Sequence, residues 1–329
     1  MSGEAGEALL SVRNLRVAFG SPQHPLLAVD GVDFDVGPGE VLGIAGESGS
    51  GKSVTLRSIL RLIHAPGRVS GQVLWRGRDL LALPEEELRR VRGGEIGVIF
   101  QEPMTALNPV LSVGLQIREN LKEHTRLDAA GRRKRAIELM DHVGIPAAQS
   151  RLEDYPHQFS GGMRQRAMIS IALASNPQLL LADEPTTALD VTIQDQILKL
   201  ILRLRSEMNM SVILVTHDLG VIAQTCDRLA VMYAGRLAET GPVAALFRQP
   251  RHAYTLGLLN SVPRAGQLRQ PLASIPGQPP LLSRLPRGCA FAPRCGFVLS
   301  ACREAPPPLV EVAPDHRSAC LAHQAVAKA

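Results

Sequence analysis

Residues 41–63 read VLGIAGESGSGKSVTLRSILRLI, which is an apolar run, a glycine-rich loop and an amphipathic run in direct succession. The loop fits the pattern G-x-x-x-x-G-K-[ST], in which backbone N–H groups surround a polyanion, the lysine adds charge and the serine can ligate Mg²⁺. A strand, a loop and a helix in this order place a phosphate at a helix N-terminus, which favours anions. A glycine-rich turn that binds nothing is the alternative. The predicted phosphate-binding residues are Gly46, Glu47, Ser48, Gly49, Ser50, Gly51, Lys52 and Ser53.

Length and composition indicate a globular chain of about two domains. The 329 residues are 45% hydrophobic and 20% charged, which is ordinary for a protein with a sizeable core. The net charge of +5 is spread along the chain, and the densest basic run, residues 132–135, is interpreted as a solvated helix face. We therefore expect no nucleic acid as a partner.

Neither a signal peptide nor a membrane span is predicted. The N-terminal MSGEAGEALL has no basic region, and no stretch approaches about 18 uninterrupted apolar residues. The chain is expected to stay in the cytoplasm, so that at a membrane a partner would have to supply the spanning helices.

Strands that alternate with helices predict an α/β fold with a mostly parallel sheet. Residues 8–100 are strand-rich, and the segment 102–158 is broken by prolines before it becomes helical. The short apolar runs 178–183 and 211–216 suit parallel strands that are buried on both faces.

A change of composition predicts a domain boundary near residue 250. Proline, arginine and cysteine rise beyond it, and RHAYTLGLLNSVP, which starts at residue 251, is the last predicted helix. We expect a main domain of residues 1–250, with a helical part at about 102–165, and a small appended module of residues 251–329.

Two predicted strands end in polar side chains that suit nucleotide chemistry. The run QLLLAD ends in Asp183, which can hold Mg²⁺, and Glu184 follows, placed to orient or deprotonate a water. The run SVILVT ends in Thr216 and is followed by His217, which could contact a γ-phosphate at the same sheet edge. Surface carboxylates and a structural histidine are the alternatives.

A second anion site is predicted at FSGGMRQR, residues 159–166. Ser160 is a good N-cap, and Gly161 and Gly162 permit close backbone approach at the start of a helical run. One nucleotide hardly needs two such sites so far apart in the chain.

The motifs GESGSGKS, FSGGMRQR, LLLADEP and TALD, together with Gln101 and His217, resemble the ATP-binding cassette of ABC transporters. The resemblance covers residues 8 to about 250, because the motifs occur in family order and spacing. It implies ATP and Mg²⁺ as cofactors. It also implies a P-loop NTPase cassette with a RecA-like core, an antiparallel β subdomain and a helical subdomain.

The resemblance implies a role for the residues that surround the nucleotide bound at this chain's own phosphate loop. Ser53, Gln101 and Asp183 would hold Mg²⁺, Glu184 would be the catalytic base, and His217 would be the switch histidine.

The remaining motif residues are implied to meet nucleotide in a dimer. In this family two cassettes pair head to tail, so Ser160, Gly161 and Gly162 would face the partner's ATP, and Asp190 closes the D-loop. Phe19 lies where the family stacks an aromatic ring on adenine, although a phenylalanine that ends the strand LRVAF is also an ordinary core residue.

VIFQEPMTALNPV and the C-terminal segment narrow the resemblance to D-type ATPase subunits of dipeptide and oligopeptide importers. The resemblance implies a homologous F-type ATPase partner, two membrane permeases and an extracytoplasmic binding protein, with the chain at the cytoplasmic face of the membrane. Importers of nickel, glutathione or oligosaccharides are the alternatives within this branch. An ABC ATPase of DNA maintenance is disfavoured, because there is no sustained heptad pattern for its long coiled coil.

Four cysteines cluster near the C-terminus. Cys289, Cys295, Cys302 and Cys320 are separated by five, six and seventeen residues, unlike the paired C-x₂-C of common zinc modules. A cytosolic chain is not expected to hold structural disulfides, so the cluster predicts a metal site. Cys226 stands apart and is interpreted as a buried apolar residue.

Some peptide-importer ATPases that this segment resembles carry a [4Fe–4S] cluster on such cysteines, which implies the same here. Zinc and unligated thiols are the alternatives, and His316 and His323 are possible substitute ligands. A redox sensor that gates the cassette is a further possible role of the module.

Overall fold

The computed structural model describes residues 8–21, 23–187, 189–262 and 274–329. It divides into two compact units. Among the described residues, those within 1–36, 41–81 and 215–329 form the first unit, and those within 37–40 and 82–214 form the second.

The described residues form twelve strands. They are β1 (Leu10–Phe19), β2 (Leu26–Val36), β3 (Val41–Ala45), β4 (Arg68–Trp75), β5 (Arg78–Asp79), β6 (Ile96–Ile99), β7 (Leu179–Asp183), β8 (Ser211–Val215), β9 (Arg228–Tyr233), β10 (Arg236–Pro242), β11 (Val310–Ala313) and β12 (His316–Ser318).

The same residues form twelve α-helices, with short 3₁₀ turns in addition. They are α1 (Lys52–Ile59), α2 (Glu85–Val91), α3 (Pro103–Ala106), α4 (Val113–His124), α5 (Ala129–His142), α6 (Ala148–Arg151), α7 (Gly161–Ala172), α8 (Val191–Met208), α9 (Leu219–Thr225), α10 (Val243–Arg248), α11 (Ala253–Asn260) and α12 (His323–Val326). The predicted helix at residue 251 is therefore α11, and Pro263 at its predicted end lies outside the described residues.

The first unit contains an antiparallel sheet in the order β2-β1-β4-β5 and a group of strands in the order β3-β9-β10-β12-β11. β3 pairs with β9 in parallel, with Ile44 opposite Ala230, and all five residues of β3 are buried. A short, fully apolar strand suits this position because both of its faces are covered.

The C-terminal segment is part of the first unit and shares its core. β12 pairs with β10 in antiparallel register, with Glu239 opposite Ser318. Phe291 and Val326 belong to the same buried cluster as Val231 of β9. Residues after 250 therefore share a hydrophobic core with strands β3, β9 and β10. The predicted domain boundaries, 1–250 and 251–329, stay a prediction.

The second unit combines parallel strands with a helical part. β6 and β7 pair in parallel, with Ile96 opposite Leu179, and β8 follows β7 in the strand order. All residues of β7 and β8 are buried, as their apolar sequences predict. Helices α4, α5 and α7 pack on one another. The predicted α/β class is therefore confirmed.

Within the described ranges, no helix combines the length and the apolar character that crossing a bilayer requires.

Candidate nucleotide-binding site

The predicted phosphate loop connects β3 to α1 in a conformation that requires glycine. Gly46, Gly49 and Gly51 have φ angles of 151°, 76° and 105°, which L-residues rarely adopt. A Cβ atom on Gly46 would lie 2.2 Å from the Met232 carbonyl oxygen, and one on Gly51 would lie 2.6 Å from that of Ala28. The loop is therefore pressed against neighbouring backbone, and any larger residue at either position would displace it.

Lys52 is buried and lies at the first position of α1. Its Nζ donates to the carbonyl oxygens of Gly46 and Glu47, at 2.8 and 2.9 Å. Ser53, which follows it, is half-buried, and the first turn of α1 contains no acidic residue that would repel an anion.

The loop fits a phosphate group on structural grounds. Ser48 and Gly49 at its tip are exposed. Ser50 is buried, and its Oγ finds no hydrogen-bond partner among the described residues. A glycine-rich loop that ends in a lysine at a helix N-terminus, with a buried hydroxyl available as a donor, suits a nucleotide phosphate.

Glu47 in this loop contacts residues that our sequence reasoning did not identify. Its carboxylate accepts two hydrogen bonds from the Arg294 guanidinium, at 2.7 and 2.9 Å. Its backbone N–H donates to the Tyr254 hydroxyl at 2.7 Å. Hydrogen bonding to Glu47 raises the pKa of Arg294, and burial raises the pKa of Tyr254. Because these partners lie more than 200 positions from Glu47, no local pattern could have predicted them.

Phe19, the predicted adenine-stacking residue, is half-buried at the end of β1. Its ring packs near Gly67, where a Cβ would lie 2.9 Å from the Phe19 Cε1 atom. The arrangement leaves part of the ring accessible, so its role in stacking stays a prediction.

The predicted acids follow β7 in the second unit. Asp183 ends the strand and is fully buried. Glu184 is half-buried and has a φ of 45°, a conformation that non-glycine residues adopt mainly where the structure imposes it, often at functional sites.

Two neighbours orient the Glu184 carboxylate. The Gln101 side-chain amide donates to its Oε2 at 3.2 Å, and the Thr187 hydroxyl donates to the same oxygen at 2.8 Å. Gln101 and Glu184, which come from separate motifs of the sequence, are therefore in contact in the structure. Thr187 also contacts Glu184, and the sequence analysis did not predict this residue.

His217 lies in the first unit and is exposed. The preceding Thr216 donates its N–H to the carbonyl of Ile44 in β3 at 3.2 Å. Since β3 leads directly into the phosphate loop, His217 follows the chain segment that runs beside the start of that loop.

The predicted second anion site lies at the N-terminus of α7. Ser160 is the N-cap, and its hydroxyl accepts the Met163 N–H at 3.4 Å. Ser160 and Gly161 are exposed, whereas a Cβ on Gly162 would lie 3.0 Å from Ile193 of α8. The exposed helix start is accessible to an external ligand, and Gly162 permits the close approach of α8.

Asp190 is the exposed N-cap of α8. Its carboxylate accepts the Ile193 N–H at 2.9 Å. Asp190 therefore caps α8, and its contact with nucleotide stays a prediction.

The four clustered cysteines line one small cavity in the first unit. Cys302 is buried, and Cys289, Cys295 and Cys320 are half-buried. Burial raises the pKa values of Cys289 and Cys295, and that of Cys320 to about 11. Neighbouring thiol groups add to the rise, because a second negative charge nearby disfavours ionisation.

The cysteine geometry does not match a single-ion site. All five cysteines are unbridged. Among the described residues, no three His, Cys, Asp or Glu side chains converge closely enough to hold one ion. His316 does not line the cavity, because its Nε2 lies 2.6 Å from buried Glu239. Cys226, predicted as an apolar residue, is half-buried with its Sγ against Gly43 of β3, and burial raises its pKa to about 11.

Comparisons with known proteins agree with these observations. The "ABC transporter" family matches residues 29–187, and "Oligopeptide/dipeptide transporter, C-terminal region" matches residues 238–302. Similar solved structures include the dimeric structure of the ATP-binding cassette MJ0796 in a post-hydrolysis state, bound to ADP and Pi. That structure has a TM-score of 0.64 and 30% identity, and the match covers 71% of this chain and 98% of that one.

Two similar proteins span nearly the whole chain. The oligopeptide transport ATP-binding protein OppD of Escherichia coli (strain K12) is 47% identical over 98% of this chain and 95% of its own length. The OppD of Salmonella typhimurium (strain LT2) is 47% identical over 97% of this chain and 95% of its own length. At this identity and coverage, the chain belongs to the family of ATP-binding proteins of ABC-type oligopeptide transporters.

Proposed function

We propose that the chain binds and hydrolyses ATP to power the import of dipeptides or oligopeptides across the cell membrane. The glycine-dependent phosphate loop, with Lys52 at the start of α1, carries the ATP-binding part of the proposal. The similarity to oligopeptide transport proteins along the whole chain supports the transport part. Relatives that import nickel, glutathione or oligosaccharides remain the alternative for the solute.

The phosphate loop and the proposed metal ligands have separate chemical roles in this proposal. The Lys52 ammonium and the backbone N–H groups of residues 46–53 would bind the ATP phosphates, except the N–H groups of Glu47 and Ser50, which donate to the Tyr254 hydroxyl and the Glu47 carbonyl. Ser53, Asp183 and Gln101 would hold Mg²⁺, which neutralises phosphate charge when it is bound. Oxygen ligands of this kind are the ones that Mg²⁺ prefers.

Glu184 would orient and deprotonate the attacking water. Its carboxylate is already oriented by Gln101 and Thr187, and a fixed base needs less reorganisation during the reaction. His217 would contact the γ-phosphate.

The variant Glu184→Gln tests this assignment. It should still bind ATP but lose ATPase activity by about 100-fold or more, which is the usual contribution of a general base. Glu119→Gln, at an exposed position of α4, is the matched control and should retain activity. Full activity in Glu184→Gln would refute the base assignment.

We propose a dimer with a homologous F-type ATPase, located at the cytoplasmic face of the membrane under two permeases fed by an extracytoplasmic binding protein. The exposed start of α7 supports this proposal, because it offers a second helix N-terminus to a partner's nucleotide. Binding of two ATP molecules would close the dimer, and hydrolysis would release it.

Replacement of Ser160 tests the dimer in the complete transporter. Ser160→Arg should reduce ATP hydrolysis by the complex while nucleotide binding by this chain alone stays unchanged. An unaffected complex would argue against a nucleotide shared between subunits. Peptide uptake by the same complex, measured against nickel, glutathione and an oligosaccharide, identifies the solute.

We also propose that Cys289, Cys295, Cys302 and Cys320 hold a [4Fe–4S] cluster. The four thiols line one cavity, which brings cysteines from separate parts of the segment to a common place, as thiolate ligands of a cluster must be.

Iron and sulfide analysis of anaerobically purified protein, together with its visible spectrum, tests the cluster. Cys295→Ser should lower the iron content, whereas Cys226→Ser should not, since Cys226 does not line the cavity. Zinc alone in the purified protein would refute the proposal.

A further inference from the structure

We propose that Arg294 and Tyr254 of the C-terminal segment are positioning residues for the phosphate loop, so that nucleotide affinity depends on this segment. Both act through Glu47, the second residue of GESGSGKS. The inference rests on the proposed function only in that the loop binds a nucleotide.

The Arg294 side chain is built to hold one carboxylate. It is 5% exposed, and its two terminal nitrogens donate in parallel to the two oxygens of Glu47. Its Nε donates to the Pro276 carbonyl at 2.9 Å, and one terminal nitrogen also donates to the Tyr233 hydroxyl at 3.2 Å. All three guanidinium nitrogens donate hydrogen bonds, so this planar, fork-shaped group fixes both the position and the orientation of the Glu47 carboxylate.

Aromatic rings complete the enclosure of the guanidinium. The Arg294 Cζ lies 6.0 Å from the Tyr233 ring centroid and 5.8 Å from that of Phe291. Such contacts favour a cation that water reaches poorly. Without Glu47, Arg294 would be a nearly buried charge without its counterion, and this is a costly state. The structure therefore holds Glu47 in place.

The constraint on Glu47 extends to the lysine of the loop. The Glu47 carbonyl accepts hydrogen bonds from the Ser50 N–H, at 3.2 Å, and from the Lys52 Nζ, at 2.9 Å. Arg294 thus fixes the side chain of a residue whose main chain supports the loop turn and the ammonium group. If Glu47 shifts, the groups that would contact the phosphates shift with it.

Tyr254 supplies a second contact to Glu47, through the main chain. Its hydroxyl accepts the Glu47 N–H, and its ring is fully buried, with its centroid 4.5 Å from that of Tyr233. Tyr254 belongs to α11 and Arg294 to the turn before Cys295, so two separate parts of the C-terminal segment hold the same loop residue.

ADP binding to the full chain, measured by calorimetric titration, tests the inference without hydrolysis or a partner subunit. Arg294→Gln and Tyr254→Phe should each raise the ADP dissociation constant roughly 10-fold, the cost of one strong hydrogen bond. Arg294→Lys, which keeps the charge without the fork, should fall between wild type and Arg294→Gln. Arg303→Gln, on an exposed arginine of the same segment, is the control and should match wild type.

The titration separates positioning from folding. A positioning defect raises the dissociation constant at an unchanged number of sites per chain, whereas a folding defect lowers the number of sites at an unchanged constant. The double variant Glu47→Gln/Arg294→Gln should be little worse than either single variant, because both remove the same contact.

Two outcomes overturn the inference. If wild type binds ADP and both Arg294→Gln and Tyr254→Phe bind it equally well, the positioning role is refuted while the proposed function stands. If wild type binds no ADP, the proposed function fails and the inference fails with it.

Discussion

His252 should make the stability of this chain fall as the pH drops below neutrality. Its imidazole is 4% exposed, and its Nδ1 accepts the Tyr254 N–H at 3.0 Å, which caps α11. Burial lowers the pKa of His252 to about 4 from the ordinary 6.5, although the nearby Glu239 carboxylate and a backbone contact to Ala319 oppose the shift. A neutral imidazole is thus required in the folded state.

The sign and size of the effect follow from proton linkage. Between pH 6.5 and 4 the unfolded chain binds a proton at this side chain that the folded chain does not, so the free energy of unfolding rises with pH in this window. A pKa difference of about 2.5 units corresponds to about 3 kcal/mol. The folded state should therefore be about 3 kcal/mol less stable at pH 4 than above pH 6.5 because of this one residue.

Urea unfolding at several pH values between 4 and 8 measures the effect. His252→Asn keeps a side-chain oxygen that can accept the capping hydrogen bond but cannot titrate, so its stability should vary less with pH. His64→Asn, on an exposed histidine, should follow the wild-type curve. If wild type and His252→Asn lose stability in parallel, the pKa argument is wrong.

Three further predictions follow from single contacts. Gly51→Ala should destabilise the chain by about 2 kcal/mol or more and weaken ATP binding, because its Cβ would lie 2.6 Å from the Ala28 carbonyl oxygen. Gly77→Ala, whose Cβ would meet nothing within 4 Å, should cost only the backbone strain of about 1–2 kcal/mol, as thermal unfolding can show. Asp190→Ala should cost about 1 kcal/mol through the lost cap of α8, and Asp190→Ser should restore most of it in the same measurement. Assembly of the proposed cluster on the apo protein from added ferrous iron and sulfide should increase between pH 6 and 9, since burial raises the pKa of Cys320 to about 11 and the metal must displace its proton. An iron-to-protein ratio that is independent of pH would contradict this.

Local sequence patterns predicted the parts of the fold that depend on neighbouring residues. The five-residue strands β3, β7 and β8 are buried throughout because apolar side chains on both faces permit only an interior position in a sheet. Ser160 begins α7 as predicted, because a short hydroxyl side chain satisfies helix N–H groups within a few residues.

The candidate residues of the nucleotide site were also predictable from local sequence. A glycine-rich loop before Lys52, together with an acid at the end of an apolar strand, is typical of nucleotide-binding sites and of few other sites. Their chemistry therefore shows in the sequence before their geometry is known. The left-handed conformation of Glu184 and its contact with Thr187 could not be read in this way, since they depend on how the turn after β7 closes.

The contacts that join distant segments were decided by the tertiary structure alone. Glu47 meets Arg294 and Tyr254 only because strands β3 and β9 and helix α11 share one core, and side-chain patterns along a chain carry no information about such pairings. The same holds for the cysteines, whose spacing indicated a metal site but not that all four line one cavity. Local hydrogen bonds and hydrophobic periodicity are properties of a short segment, whereas a partly buried ion pair between residues 47 and 294 exists only once the chain has folded around it.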